Sequence, residues 1–567
     1  MELECLAYSV GHADEGVCLL VRIGPYRILL DCGLADIAPL QVGLESNPEE
    51  SVPLPADLVL VSNAHRDRAR GVWPLHQAFP QLPIYASEVT TQLLHLNWPE
   101  VEREAIQFCQ ALPWRTPIEI LNGLTAELFP AGHLPGAATL RLTYSAPDSD
   151  AGHTPRPYTV VYTGDFFLSN TRLVEGLPLE ELRGLDPQVL IVEGSYGTSR
   201  FPHRRSQENQ LAERIDLALD RGQSVLLPTP TLGLGQELLM LLRSHHHFTG
   251  REIDIWVDGS IADACDVYLE LLPQLPTSVR NFAKHQPLFW DERIRPRVRR
   301  IDPENRPLLG EAPCIVLTDL DANLQHYCQS ENRSWLVLLP EYPGQSLEHG
   351  PGGLEAIASV EIQVESYLLP DRCDGNGTTQ LIHNLHPQHV IFVHGSPAYL
   401  ADLTNLDELR NRYHLHTPEA GTLVELPIGE TFLQPATPAE IYEGELSEQA
   451  GRVTFQFTDA IAADPRWQNF ADTGLLEARW QGEELVVRGV SQREVLSQGS
   501  AAKVSTHIDC CGNCRYYRGQ RCWNQASPLF GFKVTPEGYC PAFEAAMVPP
   551  LPPDNSPTPT DSESEHE

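Results

Sequence analysis

Hydrophobic positions in the first two hundred residues form short, closely spaced runs of the kind that build buried sheets. Residues 16–21, 27–31 and 57–62 are rich in apolar and β-branched side chains, and turn-forming or polar residues close each run. Runs of this length suit strands better than helices. The pattern predicts a strand-rich N-terminal region.

The pattern changes between residue 204 and about residue 363, where helical segments alternate with short strands. Residues 207–220 have the apolar spacing of an amphipathic helix, 224–227 read as a strand, and 234–242 read as a second helix. The hydrophobic pattern of the first region then resumes and predicts a helix at 378–385 and a buried strand at 389–393. We therefore predict an α/β insert (204–370) within a discontinuous first domain (1–203 and 371–435).

The C-terminal part of the chain has a different composition. A more polar accessory region (436–505) precedes a cysteine-rich module (506–545). The last segment (546–567) is rich in proline, serine and acidic residues, and it has too few apolar side chains to bury a core. We expect it to be a disordered tail.

Bulk composition limits the classes of protein to consider. With 567 residues and 42% hydrophobic content, the chain is long enough for roughly two to four domains. No run reaches the ~20 apolar residues that span a bilayer, and the first ten residues lack a signal-peptide pattern. These features predict no membrane association and a cytoplasmic location.

The net charge of −36 argues against a protein that grips phosphates over its whole surface. One basic strip remains, formed by Arg293, Arg295, Arg297, Arg299 and Arg300. It could hold a phosphate backbone inside an otherwise acidic molecule. The alternative, which we favour, is a solvated loop.

The segment DLVLVSNAHRDRARG carries the first chemical motif. A strand runs into a loop that presents Asn63, His65, Asp67 and Arg68. This spacing resembles the metallo-β-lactamase motif His-x-His-x-Asp-His, with Asn63 and Arg68 in place of two histidines. Four further polar residues follow in the order that this fold requires: Asp31 in LLDCG, His133 in AGHLPGAATL, Asp165 in VYTGDF and His394 in VIFVHG.

A second motif narrows the family. VEGSYGTSR around Glu193, followed by LLPTPTLGLGQELL, resembles the signature of the β-CASP family, which includes ribonuclease J and the endonuclease of messenger RNA 3′-end formation. The resemblance covers roughly residues 1 to 430. It implies an α/β fold, an αββα metallo-β-lactamase sandwich with an inserted β-CASP domain that caps the metal site and forms a cleft for single-stranded nucleic acid.

In that family two zinc ions polarise a phosphodiester and activate a water. The resemblance assigns Asn63, His65 and His133 to the first metal, Asp67, Arg68 and His394 to the second, and Asp165 to both. An amide oxygen is a poor zinc ligand, and a guanidinium has no lone pair to offer. The expectation is therefore zinc at one position or at none. In the second case Arg68 pairs with Asp67 or Asp165 in a metal-free relic.

A further departure concerns the proton donor. The family has a histidine shortly before the last strand of the core, and this chain has Arg372 in PDRCD. The resemblance places that residue beside Glu193, so we expect a bidentate carboxylate–guanidinium pair instead of a general acid. Asp31, Asp67, Glu193, Arg372 and His394 are thus the candidate catalytic residues, although His394 could equally be a core histidine.

Five of the 13 cysteines lie between Cys510 and Cys540. Cys511, Cys514, Cys522 and Cys540 follow the spacing C-x2-C-x7-C-x17-C, which suits either a structural zinc or a [4Fe-4S] cluster. The alternative is a set of reduced thiols without metal.

Two functions remain open from the sequence. The first is a metal-dependent hydrolase, an RNA-directed phosphodiesterase with at most one metal ion. The second is an inactive pseudo-nuclease that binds RNA or a protein within an RNA-processing complex. Partners can include single-stranded RNA, other proteins or further copies of the chain.

Overall fold

The computed structural model describes most of the first 427 residues and short pieces beyond them. Residues 3–427 are described apart from 13–14, 43–52, 147–156, 303–308, 310–311, 321, 324–325, 328–333 and 342–361. Beyond them, four strands between 444 and 489 are described, with 514–518, 521–524 and Glu544. Contacts divide the chain into two compact units, Met1–Leu433 and Gln434–Glu567.

The first sheet has seven strands and begins with an antiparallel meander, β1 to β3, that continues as parallel strands β3 to β6. Side chains of β1 alternate between buried and half-buried, because one face of the sheet meets the core. The strands, in spatial order, are β20 (Leu423–Glu425), β1 (Leu3–Val10), β2 (Val17–Ile23), β3 (Tyr26–Leu30), β4 (Leu58–Leu60), β5 (Ile84–Ser87) and β6 (Gln110–Leu112).

The second sheet also has seven strands and packs face to face with the first. One core contains Leu19 and Ile28 from the first sheet with Leu142, Ile191 and Ile391 from the second. In spatial order the strands are β19 (His414–His416), β18 (His389–Val393), β11 (Val189–Glu193), β10 (Tyr158–Tyr162), β9 (Ala138–Tyr144), β8 (Leu124–Pro130) and β7 (Ile118–Leu121). This is the predicted metallo-β-lactamase sandwich.

Short helices accompany the two sheets. They are α1 (Ala38–Gln41), α2 (Arg66–Ala69), α3 (Val72–Ala78), α4 (Glu88–Leu93), α5 (Leu179–Leu182), α10 (Gly375–Leu385), α11 (Pro397–Thr404) and α12 (Asp407–Arg410), with 3-10 turns at Leu94–Asn97 and Arg103–Ile106. Strand β18 pairs in parallel with β11, which is the strand that precedes the insert. The chain therefore returns to the sheet that it left.

A third, six-stranded parallel sheet lies within the predicted insert. Trp335, Leu226 and Val316 belong to its own apolar core. Its strands, in spatial order, are β14 (Arg297–Arg300), β13 (Asp254–Val257), β15 (Ile315–Asp319), β12 (Ser224–Thr229), β16 (Trp335–Pro340) and β17 (Ile362–Tyr367). Its helices are α6 (Arg204–Asp220), α7 (Leu234–Ser244), α8 (Gly259–Glu270) and α9 (Thr277–Ala283), with a 3-10 turn at Leu272–Gln274.

The hydrophobic pattern located these elements well. Each segment predicted as a strand at 16–21, 27–31, 57–62, 224–227 and 389–393 coincides with a strand, and the helices predicted at 207–220, 234–242 and 378–385 are helices. No helix among the described residues is long and apolar enough to cross a bilayer.

The second unit is described only in part. It contains three antiparallel hairpins, formed by β21 (Gly444–Gln449) with β22 (Arg452–Phe457), β23 (Leu476–Gln481) with β24 (Glu484–Gly489), and β25 (Tyr517–Arg518) with β26 (Arg521–Cys522). Cys514 and Cys522 are buried. Cys511, Cys540 and the predicted tail lie outside the described residues, so the cysteine module stays a prediction.

Candidate metal centre

The candidate centre lies at the carboxyl ends of strands in both sheets of the sandwich. Asp31 follows β3, Asp165 comes shortly after β10, Glu193 ends β11 and His394 follows β18. Asp31 and His394 hold left-handed backbone conformations, with φ of 57° and 56°. Such conformations are uncommon for residues other than glycine, although Asp and His tolerate them better than most, and they cluster at functional sites. Asn63, His65, Asp67 and Arg68 reach the same place from the loop after β4 and from α2.

Asp165 is the hub of the centre, and five side-chain donors surround its buried carboxylate. One oxygen, Oδ1, accepts from Arg68 Nη2 at 2.5 Å and Arg372 Nε at 3.1 Å, and His394 Nδ1 lies 3.1 Å away. The other oxygen, Oδ2, accepts from Arg68 Nε at 3.1 Å and Asn63 Nδ2 at 3.0 Å. The lone pairs that would bridge two metal ions are therefore engaged by protein donors.

Arg68 is fully buried and is among the largest fully buried side chains described. Besides its bidentate pair with Asp165, it donates from Nη1 to the Tyr162 hydroxyl at 2.9 Å, and that hydroxyl donates to Asp31 Oδ2 at 2.5 Å. Asp31 also accepts from the Ser62 amide and hydroxyl at 2.6 and 2.8 Å. The guanidinium thus supplies the central positive charge of a continuous network.

Electrostatics agree with this arrangement. Burial alone would raise the pKa of Asp165, but Arg372, Arg68 and His394 hold that pKa well below its ordinary value. The Arg68 guanidinium lies farther from Asp31, with its Nη1 3.8 Å from Asp31 Oδ2. Burial therefore has the larger effect and raises the pKa of Asp31 to about 6. The carboxylate at the hub is ionised because guanidinium groups face it.

His394 lies between two carboxylates. Its Nε2 is 3.0 Å from Asp67 Oδ2, and its Nδ1 is 3.1 Å from Asp165 Oδ1. Burial and Arg68 lower its pKa, but the two carboxylates outweigh them and leave the pKa above its ordinary value. Because both ring nitrogens lie at hydrogen-bond distance from carboxylate oxygens, neither is free for a metal ion in this arrangement.

His65 and His133 form a different arrangement. His133 Nδ1 lies 3.0 Å from the Asp371 carbonyl, and His65 Nε2 lies 3.3 Å from the Leu232 carbonyl. Because a carbonyl only accepts, both of these nitrogens suit an N–H group. The remaining nitrogens, His65 Nδ1 and His133 Nε2, then face each other at 3.1 Å. Burial lowers the pKa of His133 to about 4, which favours the neutral form that binds metals.

These contacts test whether each metal position fits zinc. At the first metal position, ligand atoms of His65, His133 and Asp165 lie within 4.8 Å of one another, and both imidazoles have a carbonyl partner behind them. That set suits one ion, although Asn63 donates to Asp165 and offers no third imidazole.

The second metal position does not fit. Its remaining ligands, Asp67, Asp165 and His394, also lie within 4.8 Å of one another, but the Arg68 guanidinium is bonded to Asp165 among them. Repulsion between a guanidinium and a divalent ion at ~4 Å is on the order of 8 kcal/mol at an effective dielectric of ~20. The guanidinium and a second ion are therefore mutually exclusive.

The predicted pair between Glu193 and Arg372 is wrong in its geometry. Arg372 bonds to Asp165 at 3.1 Å and lies 3.5 Å from the Asp371 carboxylate. Glu193 Oε2 instead accepts from the Ser195 amide and hydroxyl at 3.0 and 2.5 Å. Arg372 remains near enough to oppose the effect of burial on the pKa of Glu193. The Arg372 guanidinium is therefore bonded to Asp165 at the hub and not to Glu193.

The basic strip is only partly a loop. Arg293 and Arg295 lie in the bends before β14, as expected, whereas Arg297, Arg299 and Arg300 lie on edge strand β14. All five arginines are within salt-bridge distance of acidic side chains, those of 252, 254, 263, 266 and 291–292. Arg297, for example, bonds to Asp254 at 2.5 Å. The expectation of a solvated loop is therefore corrected to a paired strand for residues 297–300.

Sequence reasoning missed three residues of the centre. The Tyr162 hydroxyl links Arg68 to Asp31, and the Ser62 hydroxyl donates to Asp31. The Ser195 hydroxyl donates to Glu193 and lies 3.3 Å from His394 Nδ1. Each is within three residues of a motif residue. That adjacency is the only sequence signal, because a buried strand end gives no sign of where its hydroxyl points.

Comparison with known proteins places the chain in its family. It is 48% identical over 552 residues to an uncharacterized protein, sll0514, of Synechocystis, with 95% of this chain and 96% of the relative covered. It is 26% identical to a probable RNase of Methanocaldococcus jannaschii, covering 46% of this chain and 60% of the RNase. It is 22% identical to integrator complex subunit 11 of Gallus gallus, covering 79% and 77%. The chain belongs to the β-CASP metallo-β-lactamase family.

Two other comparisons add little to this β-CASP assignment. No protein-family model matches the sequence. Among solved structures, a protein of unknown function from Enterococcus faecalis V583 gives a TM-score of 0.48 at 14% identity, covering 75% of this chain and 100% of its own, a likeness too weak to carry an argument.

Proposed function

We propose that this β-CASP protein binds single-stranded RNA without hydrolysing it. The observation that carries the proposal is the state of Asp165, whose carboxylate binds two guanidinium groups where a two-metal hydrolase needs two cations. Arg68 compensates the charge of the carboxylates but cannot activate a water. The centre is therefore stable and chemically inert toward phosphodiesters.

Loss of the family's proton-donor histidine supports the same proposal. Arg372 replaces the histidine that the family uses, and a guanidinium cannot give up a proton usefully at neutral pH. It is nine-tenths buried and bonded to Asp165, so it holds the hub in place. We assign Arg372 and Arg68 as positioning residues of a non-catalytic centre.

RNA is the ligand that the family favours. Relatives are named as a probable RNase and as subunits of RNA-processing complexes, including cleavage and polyadenylation specificity factor subunit 3 of Dictyostelium discoideum. The high negative charge predicts weak binding that depends on local contacts. A protein partner remains the alternative ligand, and zinc or [4Fe-4S] at Cys511, Cys514, Cys522 and Cys540 belongs to the proposal.

One observation favours a second candidate, a hydrolase with a single zinc ion. The converging nitrogens of His65 and His133 and the nearby Asp165 would supply three ligands and leave a position open for water. That ion would have to displace Asn63 or Arg68 from Asp165 Oδ2. This competition makes the single-metal enzyme the weaker candidate.

The two candidates can be separated with a labelled single-stranded RNA and two proteins, the natural chain and His65→Ala. We expect the natural chain to shift fluorescence anisotropy without shortening the RNA in the presence of zinc. Cleavage that disappears in His65→Ala would establish the single-metal enzyme. If the natural chain did not bind RNA at all, the proposal of RNA binding would be wrong.

Restoring the missing ligands provides the reciprocal test. The double variant Asn63→His/Arg68→His should gain at least one tightly bound zinc ion per chain, because two imidazoles replace an amide and a cation. Arg68→Gln is the matched control, since it removes the guanidinium without offering an imidazole, and it should gain no zinc at the second metal position. Equal zinc contents in the double variant and the natural chain would show that the geometry is not that of a zinc site.

A further inference from the structure

Three consecutive histidines outside the candidate centre form a compact cluster at the end of helix α7. His245, His246 and His247 have ring centroids 4.3 to 5.0 Å apart. Each can present one ring nitrogen within 4.8 Å of the other two. We propose that this triple-histidine cluster is a second, independent site for a divalent transition metal such as zinc, nickel or cobalt.

Two of the three imidazoles are held by partners behind them. His245 is buried, and its Nε2 lies 3.2 Å from the Asn209 side-chain oxygen. His247 Nδ1 lies 3.0 Å from Asp216 Oδ2. Asn209 and Asp216 both belong to α6. An acceptor behind an imidazole fixes the N–H on that side and leaves the other nitrogen to bind a metal, as outer-shell partners of metal sites do.

The ring nitrogens that do not face α6 are the candidate metal ligands. His245 Nδ1 accepts a long hydrogen bond of 3.4 Å from the His247 amide, which a metal ion would have to replace, and the second nitrogen of His247 is its Nε2. His246 is exposed and can turn toward either neighbour. Three imidazoles with a fourth position open to solvent form a coordination set that zinc and its neighbours accept.

The surroundings permit a cation there. The nearby cation Arg172 is balanced by Glu208 at 2.7 Å. A cavity of about 560 Å³ beside His245 and His246 leaves room for water or another ligand at the open position.

Contacts with helix α6 distinguish this cluster from an ordinary run of exposed histidines. A flexible run would have no fixed partners, whereas here α6 contributes an amide to His245 and a carboxylate to His247. A bound ion would join the end of α7 to the middle of α6 through these contacts. The site is separate from the candidate centre and does not depend on the proposed function.

Titration of the full chain with Co²⁺, followed by absorption spectroscopy and zinc competition, tests the proposal. The natural chain should bind one more ion than the variant His245→Ala/His246→Ala/His247→Ala. The control His203→Ala/His285→Ala removes two exposed histidines elsewhere and should bind as many ions as the natural chain. Equal stoichiometry and affinity in the natural chain and the triple variant would overturn the proposal.

Two milder variants keep the test decisive if the triple variant fails to fold. Asp216→Asn should weaken this site roughly 10- to 100-fold, as loss of an outer-shell carboxylate does, and His246→Ala should weaken it at least tenfold. Asp220→Asn is the matched control, because Asp220 shares the Arg251 contact with Asp216 but touches no histidine. An unchanged dissociation constant in His246→Ala would also overturn the proposal.

Discussion

The two metal positions of the candidate centre share Asp165 but have diverged in opposite ways. At the first position, one nitrogen of His65 faces one nitrogen of His133, and the other nitrogen of each ring lies near a backbone carbonyl. At the second, a buried guanidinium is bonded to the shared carboxylate, and His394 is enclosed by acids. A cation in place of one ligand can therefore neutralise the carboxylates of one metal position, while the histidines of the adjacent position keep the arrangement of metal ligands.

The largest expected effect is on stability at the second metal position. Arg68→Ala leaves Asp165 and Asp31 buried without their central cation, so we expect a loss of about 3–5 kcal/mol in the free energy of unfolding. Urea denaturation measures it. The control Arg115→Ala breaks an exposed pair with Glu181 and should cost less than about 1 kcal/mol. Similar losses in the two variants would refute a structural role for Arg68.

The first metal position should tolerate substitution far better. His65→Ala removes the hydrogen bond to the Leu232 carbonyl and the ring contact with His133, and the expected cost is about 1 kcal/mol. The same denaturation experiment, on metal-free protein, gives the value. If His65→Ala destabilised the protein as much as Arg68→Ala, the two positions would not differ as described.

A pH-dependent effect sharpens the role of His394. Because its folded-state pKa is raised, its ion pairs stabilise the protein fully below the unfolded value of about 6.5 and lose that contribution as pH rises through the folded value. In metal-free protein, Asp67→Asn should lower the pKa of His394 in an NMR titration. Its cost in unfolding free energy should be greatest between about pH 4 and 6.5, where the carboxylate of Asp67 is ionised and His394 is protonated, and a cost independent of pH would contradict an ion pair between them.

The smallest expected effect concerns the paired strand β14. Arg297→Ala with Arg299→Ala should change the unfolding free energy by only about 0.5 kcal/mol and leave RNA affinity unaltered, because acidic neighbours already occupy both side chains. Anisotropy with labelled RNA checks this. A strong, salt-dependent loss of RNA affinity would show that these arginines contact RNA.

Much of the fold and the centre could be predicted from the sequence, for identifiable reasons. Strands such as β4 and β18 are buried, so their apolar runs are distinct, and the motif spacing predicted which loops carry Asp165 and His394. Arg68 was recognised as a non-ligand because no environment gives a guanidinium a lone pair.

The failures arose where several acceptors compete for one donor. Sequence placed Arg372 beside Glu193, but the guanidinium bonds to Asp165 and Glu193 turns to Ser195. Likewise, the acids that neutralise β14 lie on separate segments of the insert, which a linear reading does not bring together. Partner choice depends on tertiary distances that spacing alone does not contain.

Anomalous diffraction at the zinc edge, from crystals grown with excess zinc, would show whether the Arg68 guanidinium excludes zinc from the second metal position. We expect no peak between Asp67, Asp165 and His394, because the Arg68 guanidinium is bonded to Asp165. A strong peak there, with Arg68 displaced from the carboxylate, would show that zinc and not the guanidinium occupies this position.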